Sequence, residues 1–320
     1  MRHTNAAILL LLTLGLFILG ITPISAQAAE ELPDSEPIRI GILPDADSLP
    51  FMVADHQQLF IQHKAPVELV LFHSPVERDA AFQAGRIDGF IGDTLAALFL
   101  ENGGTDISIT STTSGRYGIA ASPNSGISSI EELKNESIGV STNTIIEYAV
   151  HALFNDAGIS GDSVEVTAIP KMPIRMELLL QGTIKAACLP EPLYSLVLAQ
   201  GAVPVADTSQ LSSAPGILIF TAQTVSERST DLQLIYRAYQ QAAEQIDANP
   251  ESFRDFLIEQ AGFPAPVRDS YEFVTYGTVH VPDTQEISPV ADWMLSRNLI
   301  DSVPAYDELV PQDWDLEFLD

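Results

Sequence analysis

The chain runs through one order of elements and then runs through it again, which limits it to folds built from two similar halves. In the first half, 38–43 reads as a strand, 50–64 as a helix, 67–72 as a strand, 75–84 as a helix and 89–91 as a strand, with a further strand at 107–112. After the polar cluster Thr113-Ser114-Gly115 the order restarts: strand 137–140, helix 144–157 stopped by Gly158, strand 164–169, helix 174–181, strand 184–189. Arg78, Gly85, Ile87 and Gly104 share one offset with Arg175, Gly182, Ile184 and Gly201, and Phe82 and Leu179 fall on the same register. The loops His73-Ser74-Pro75 and Pro170-Lys171-Met172 match in the same way.

Short β-branched runs alternating with helix-period segments predict an α/β protein, each half a mainly parallel sheet flanked by crossover helices. Two distant copies exclude a solenoid and leave two lobes. Their strand ends and helix N-termini would face a shared cleft, where open α/β sheets take ligands. A strand at 216–222 would carry the chain back to the first lobe. Helices at 231–248, 250–260 and 287–297 would finish it, with Trp293 on an apolar face.

The N-terminus reads as an export leader. Arg2 and His3 precede an apolar run over 6–21, Pro23 breaks it, and Ala26-Gln27-Ala28 supplies a small-x-small cleavage site. Cleavage is expected after about Ala28, making 1–28 a signal peptide; an uncleaved anchor is the alternative, because the run approaches spanning length. No cysteine lies near the junction, so no lipid anchor is expected and the mature chain is placed in the periplasm. Cys188 is the single cysteine, so no disulfide can form within the chain. Its setting, Ala186-Ala187-Cys188-Leu189, predicts a buried, inert thiol.

Against 15 Lys and Arg stand 43 Asp and Glu, a formal net charge of −28, and loss of Arg2 with the leader deepens it. Nucleic acid and anionic membrane surfaces need positive partners and are excluded on this ground. No Gly-x-Ser-x-Gly elbow, His-Glu-x-x-His, Walker loop or Gly-x-Gly-x-x-Gly occurs. His56 and His63 are spaced to share a helix face, as a weak metal pair or as solvated surface. His73 lies in a loop with no serine or cysteine placed for it to activate. The chain is therefore expected to bind rather than catalyse, without metal or cofactor.

Several motifs together resemble one family. They are Pro44-Asp45-Ala46-Asp47-Ser48-Leu49-Pro50, Gly85-Arg86-Ile87-Asp88-Gly89-Phe90-Ile91-Gly92-Asp93, and Ser125-Gly126-Ile127-Ser128-Ser129-Ile130-Glu131-Glu132-Leu133-Lys134. Ile138-Gly139-Val140 and Leu189-Pro190-Glu191-Pro192 continue the likeness. Across the whole chain after the leader it resembles the extracytoplasmic solute-binding proteins of ABC importers for sulfonates, nitrate, taurine and thiamine pyrimidine precursors. The resemblance implies a type II periplasmic-binding-protein fold that closes two lobes on a small solute and delivers it, as a monomer, to a permease in the inner membrane. By position it puts the crossings between lobes near 113–117 and 207–216. One lobe would then be 38–114 with 215–320, and the other 115–214. Relatives on this fold that make the thiamine pyrimidine use a cysteine-rich segment, which this chain lacks.

The loops at strand ends hold the candidate ligand residues. Asp45, Asp47 and Ser48 follow the first strand, His73 and Ser74 the second, Asp93 and Thr94 the third. Tyr117 adjoins the first crossing, Thr142, Asn143 and Thr144 follow the first strand of the second half, and Glu191 stands at the position equivalent to Thr94. Ser74-x-x-Glu77 and Thr144-x-x-Glu147 read as capping boxes that aim free N–H groups at the cleft. Each of these residues has a turn or capping role as its alternative. Arg78 and Arg175 could fork onto a ligand carboxylate or sulfonate, or brace their own lobes. The acids Asp45, Asp47, Asp93 and Glu191 suit a cationic or amine-bearing solute, with Tyr117 or Tyr148 as an aromatic face. The expectation is a small nitrogen-containing solute such as a pyrimidine or amine. A sulfonate-type anion, a sensor subunit and an exported enzyme are the alternatives.

Overall fold

Ten short strands form two five-stranded sheets in the computed structural model, which describes residues 35–211 and 215–319. The leader and cleavage site expected from the sequence lie outside the described residues. The strands are β1 Ile38–Ile42, β2 Val67–Leu71, β3 Gly89–Asp93, β4 Ile107–Thr112, β5 Tyr117–Ala121, β6 Ile138–Val140, β7 Val166–Ala168, β8 Ala186–Pro190, β9 Val203–Asp207 and β10 Gly216–Thr221. The helices are α1 Leu49–His56, α2 Leu59–Gln62, α3 Pro75–Gln83, α4 Thr94–Asn102, α5 Ile145–Asp156, α6 Met172–Leu180, α7 Leu193–Ala199, α8 Ala222–Glu227, α9 Ser229–Ala248, α10 Arg254–Glu259, α11 Thr284–Ser296 and α12 Tyr306–Leu309.

The sheet orders are β2-β1-β3-β10-β4 and β7-β6-β8-β5-β9. They are the same order, with one strand in each supplied by the chain as it crosses. β1 pairs in parallel with β2 and β3, and β6 with β7 and β8. Four strands of each sheet run the same way, so both sheets are mainly parallel as expected, with one reversed strand in each. β10 enters antiparallel between β3 and β4, and β5 antiparallel between β8 and β9. A strand arriving from the other sheet runs in directly, without the crossover helix that parallel entry requires. Both inserted strands slip register midway, at Leu218/Ile219 and at Ile119/Ala120.

The strands are apolar because helices cover both faces. Helix α9 packs on α1 and α2, bringing Phe51 within 4.7 Å of Tyr239 between ring centroids. The helix expected at 50–64 is two pieces, α1 and α2, separated by Gln58 in the left-handed region at φ 59°. The break lets Phe51 and Phe60 turn to the same side, 6.3 Å apart. The segment 250–260 begins as a tight 3₁₀ turn before α10.

Six of these elements escape the sequence reading, the short helices α8 and α12 among them. β5 is too short and small-residued to signal, and β9 carries Pro204, which a sheet tolerates at an edge. α4 and α7 are apolar on most sides and show little helical period.

Helix α11 joins the two halves. It packs on α4, while Trp293 meets Tyr148 of α5 edge-on at 5.6 Å and Arg297 bonds Glu147 at 2.9 Å. A single apolar cluster accordingly runs from Phe90 and Leu98 through Trp293 and Met294 to Ile119 and Phe154. No described helix is long and apolar enough to cross a membrane.

Candidate functional site

Each lobe is braced at the same place. Arg78 Nη1 donates to the Ile91 carbonyl at 2.7 Å, and Arg175 Nη1 to the Cys188 carbonyl at 2.8 Å. Arg78 also bonds Asp79 and lies 4.5 Å over the Phe90 ring. Arg175, fully buried, adds the Ile169 carbonyl at 2.9 Å and Ser141 Oγ. Of the two geometries open to these arginines, bracing is the one seen. Arg175 ties the loop before its helix to the middle of β8, and Arg78 ties the start of its own helix to the middle of β3.

The loops after β1 and β3 are held by local caps. Asp45 Oδ1 accepts from Ser48 N at 3.0 Å, and Asp93 Oδ1 accepts from Ala96 N at 3.0 Å at the start of α4. Ser48 is buried, its Oγ accepting from Leu43 N. Thr94 is also buried, and both its N–H and its hydroxyl donate to the Pro215 carbonyl. Ser74 caps α3 through Glu77 N at 3.3 Å, and His73 beside it is exposed. Thr144 caps α5 through Ile146 N. Its expected box partner Glu147 instead accepts from Asn143 N at 2.6 Å, with Asn143 at φ 59° and Thr142 and Asn143 both exposed.

Four of the expected site residues come together. Burial raises the Tyr117 pKa well above the usual value, and the charges of Asp47, Asp93 and Asp45 raise it further. Burial pushes Asp45 up to about 6, and burial with the Asp45 charge pushes Asp47 up to about 7. Asp93 is raised by burial too. None of the three forms an ion pair among the described residues, and the nearest cation, Arg78, is bonded to Asp79 and a carbonyl.

Glu191 is not part of this group. Its buried carboxylate pairs with Arg116 at 2.5 Å and accepts from Ser195 N and Oγ. Arg116 also donates to the Glu272 carbonyl at 2.9 Å, so the pair pins the first crossing to the C-terminal segment. Tyr148 is buried against Trp293, away from the acids. His56 and His63 end up on separate helical pieces, His56 near Phe256 and His63 on Gln241. No group of three metal-ligating side chains occurs among the described residues. Burial pushes the Cys188 thiol up to about 12, which keeps it protonated and inert.

Sequence reasoning missed Arg116, Thr113, Tyr271 and Tyr276. Thr113 Oγ1 bonds Asp47 at 2.6 Å, and the Tyr276 hydroxyl donates to the Ala46 carbonyl at 2.7 Å. The one available signal was the polar run Thr113-Ser114-Gly115-Arg116-Tyr117, read there only as a crossing.

The model of the NMT1-like family matches residues 31–258. No match is found among the curated proteins. Among solved structures, the periplasmic aliphatic sulphonate binding protein SsuA of Escherichia coli aligns over 87% of this chain and 92% of its own, with TM-score 0.73 and 18% identity. A ligand binding component of an ABC-type import system from Staphylococcus aureus aligns over 86% and 96%, with TM-score 0.70 and 17% identity. The alkanesulfonate-binding protein SsuA of Xanthomonas axonopodis pv. citri, bound to MOPS, aligns over 84% and 96%, with TM-score 0.68 and 17% identity. At such identities the likeness is one of fold: two α/β lobes of the periplasmic-binding-protein type.

Proposed function

The chain belongs to the NMT1-like family, and we propose that it is the exported solute-binding component of an ABC-type importer, closing its lobes on a small amine or other nitrogen-bearing cation. The lobes of this reading are 38–114 with 215–320 and 115–214, meeting at the two crossings. The solute would be captured in the periplasm and handed to a permease in the inner membrane. The fold shared with import-system binding components supports that role, and the three carboxylates support the choice of solute.

The observation that carries the choice is the convergence of Asp45, Asp47 and Asp93 on Tyr117 without an ion pair among the described residues. Like charges at about 4 Å repel by about 4 kcal/mol per pair at the effective dielectric of a partly buried site, so a sulfonate or nitrate would enter against each of these carboxylates that is ionised. An ammonium group is attracted by the same charges, and the Tyr117 ring offers it a face. Arg78, Arg175, Ser48, Thr94 and Glu191 serve this site from behind, by holding the loops that present it. Loop 141–144 of the second lobe, with Thr142 and Asn143 exposed, would close over the solute.

Mass spectrometry of the solute that co-purifies with the mature protein is the direct test, followed by calorimetry against alkylamines, aminopyrimidines and alkanesulfonates. The reading expects an unchanged, nitrogen-bearing solute and tighter binding of the amines. Tight binding of alkanesulfonates with no amine bound would overturn it, and a chemically altered solute would point to an enzyme on this scaffold.

A further inference from the structure

Asp47 sits where the two segments that cross between the sheets meet. Its Oδ1 accepts from Thr113 Oγ1 at 2.6 Å. Its carboxylate lies against the Cα atoms of Gly115 and Gly216, where a Cβ on either would overlap a carboxylate oxygen. Thr113 and Gly115 belong to the first crossing, and Gly216 opens β10 at the end of the second. One side chain of the acidic group is therefore wedged between both hinges, while Asp45 and Asp93 face Tyr117 from the loops.

The ionisable groups around Asp47 come from every neighbouring element. They are Asp45 after β1, Asp93 at the end of β3, Tyr117 on β5, Tyr239 on α9, and Tyr271 and Tyr276 on the C-terminal segment. Arg78 acts on Asp45 and Asp93. The hydroxyls of Tyr239 and Tyr271 are almost completely buried and have no hydrogen-bond partner. Two buried donors thus stand idle while the Asp47 carboxylate takes one side-chain donor, from Thr113. An ionised buried carboxylate recruits several donors, whereas a protonated one needs fewer. Two close carboxylates without a cation share a proton rather than ionise together. Burial and mutual repulsion of Asp45 and Asp47 favour one proton held on this pair until a cation enters.

Building on the amine reading of the cleft, we propose that Asp47 is a positioning residue that gives up a proton to water as the cation enters and, once ionised, redraws its bond to Thr113 and its packing against Gly115 and Gly216. Solute charge is then coupled to lobe closure through one side chain. Burial and the Asp45 charge hold the Asp47 carboxyl near 7 in the empty cleft, and an incoming cation lowers it. The deprotonated form binds better, so affinity strengthens as pH rises toward neutrality and levels above it.

The test is calorimetry with propylammonium as the probe, on the mature protein and on Asp47→Asn. In two buffers of different ionisation enthalpy at about pH 7, wild type should release a substantial fraction of a proton on binding, and its affinity should rise about tenfold per pH unit below neutrality. Asp47→Asn, fixed in the uncharged form, should bind weakly with less than about threefold change over the same range and release almost no proton. Thr113→Val removes the one donor to Asp47 and should move the midpoint of the wild-type profile to higher pH. It serves as the second variant should Asp47→Asn not fold. Proton-free binding by wild type would overturn the proposal, as would a wild-type pH profile in Asp47→Asn or an unmoved midpoint in Thr113→Val. Failure of propylammonium to bind wild type at any pH would instead overturn the amine reading beneath it.

Discussion

Arg78 and Arg175 make the same bond from the same place in two lobes: each donates Nη1 to a strand carbonyl thirteen residues further on, that of Ile91 or of Cys188. The register seen in the sequence is therefore a register of function within each lobe. Arg175 holds the second loop of its lobe to the third strand, and Arg78 holds the start of its helix to the third strand.

Replacing Arg175 tests that role. Arg175→Met would leave the buried Cys188 carbonyl and the partly buried Ile169 carbonyl without this donor. Each orphaned group costs about 1–3 kcal/mol, so denaturant unfolding should show a loss of about 3 kcal/mol or more. Arg39→Met, which breaks a partly exposed pair with Asp88, should cost under about 1 kcal/mol.

Gly115 and Asp47 should be energetically coupled. Gly115→Ala puts a methyl group onto the Asp47 carboxylate, an overpacking that typically costs about 1–3 kcal/mol. In an Asp47→Ala background most of that cost should vanish. A double-mutant cycle on unfolding free energies that came out additive would show that the two residues do not share the contact.

The empty protein should be less stable at pH 8 than at pH 5 by the contribution of the acidic group. Asp45 and Asp47 titrate at about 6 and about 7 in the folded chain against a usual value of 3.8. Between about pH 4 and about 7 the folded state thus holds more protons than the unfolded one, and stability falls as pH rises through that window. Asp47→Asn lacks part of this dependence, so its stability relative to wild type should rise with pH. Urea midpoints at several pH values check the sign.

Breaking the Arg116–Glu191 pair from one side should be severe. Glu191→Gln leaves the Arg116 guanidinium buried without its carboxylate, a loss of about 3–5 kcal/mol for a pair of this kind. An apolar double replacement, Arg116→Met with Glu191→Leu, should cost less than the single change. Thermal unfolding of the three variants decides it.

Trp293 holds α11 to α5. Trp293→Ala should cost about 3–5 kcal/mol as a large buried aromatic removed. Trp293→Phe should cost about 1 kcal/mol, because it also removes an Nε1 that is buried with no partner. Small-angle scattering should show a larger radius of gyration for Trp293→Ala if α11 limits the separation of the lobes.

The sequence by itself determined what depends on neighbours along the chain. Periodicity placed most strands and helices, caps at Ser74 and Thr144 fixed helix starts, and the shared offset of Arg78 with Arg175 announced two like lobes. These signals are local, because a helix or strand declares its buried face every few residues. Tertiary structure decided everything that joins residues far apart: the antiparallel entry of β5 and β10, the Arg116–Glu191 pair across 75 residues, and Thr113 on Asp47 across 66. Asp47 is the clearest case. Its sequence neighbours mark it as a loop acid, and only the folding of two distant segments around it brings Thr113, Gly115 and Gly216 against its carboxylate.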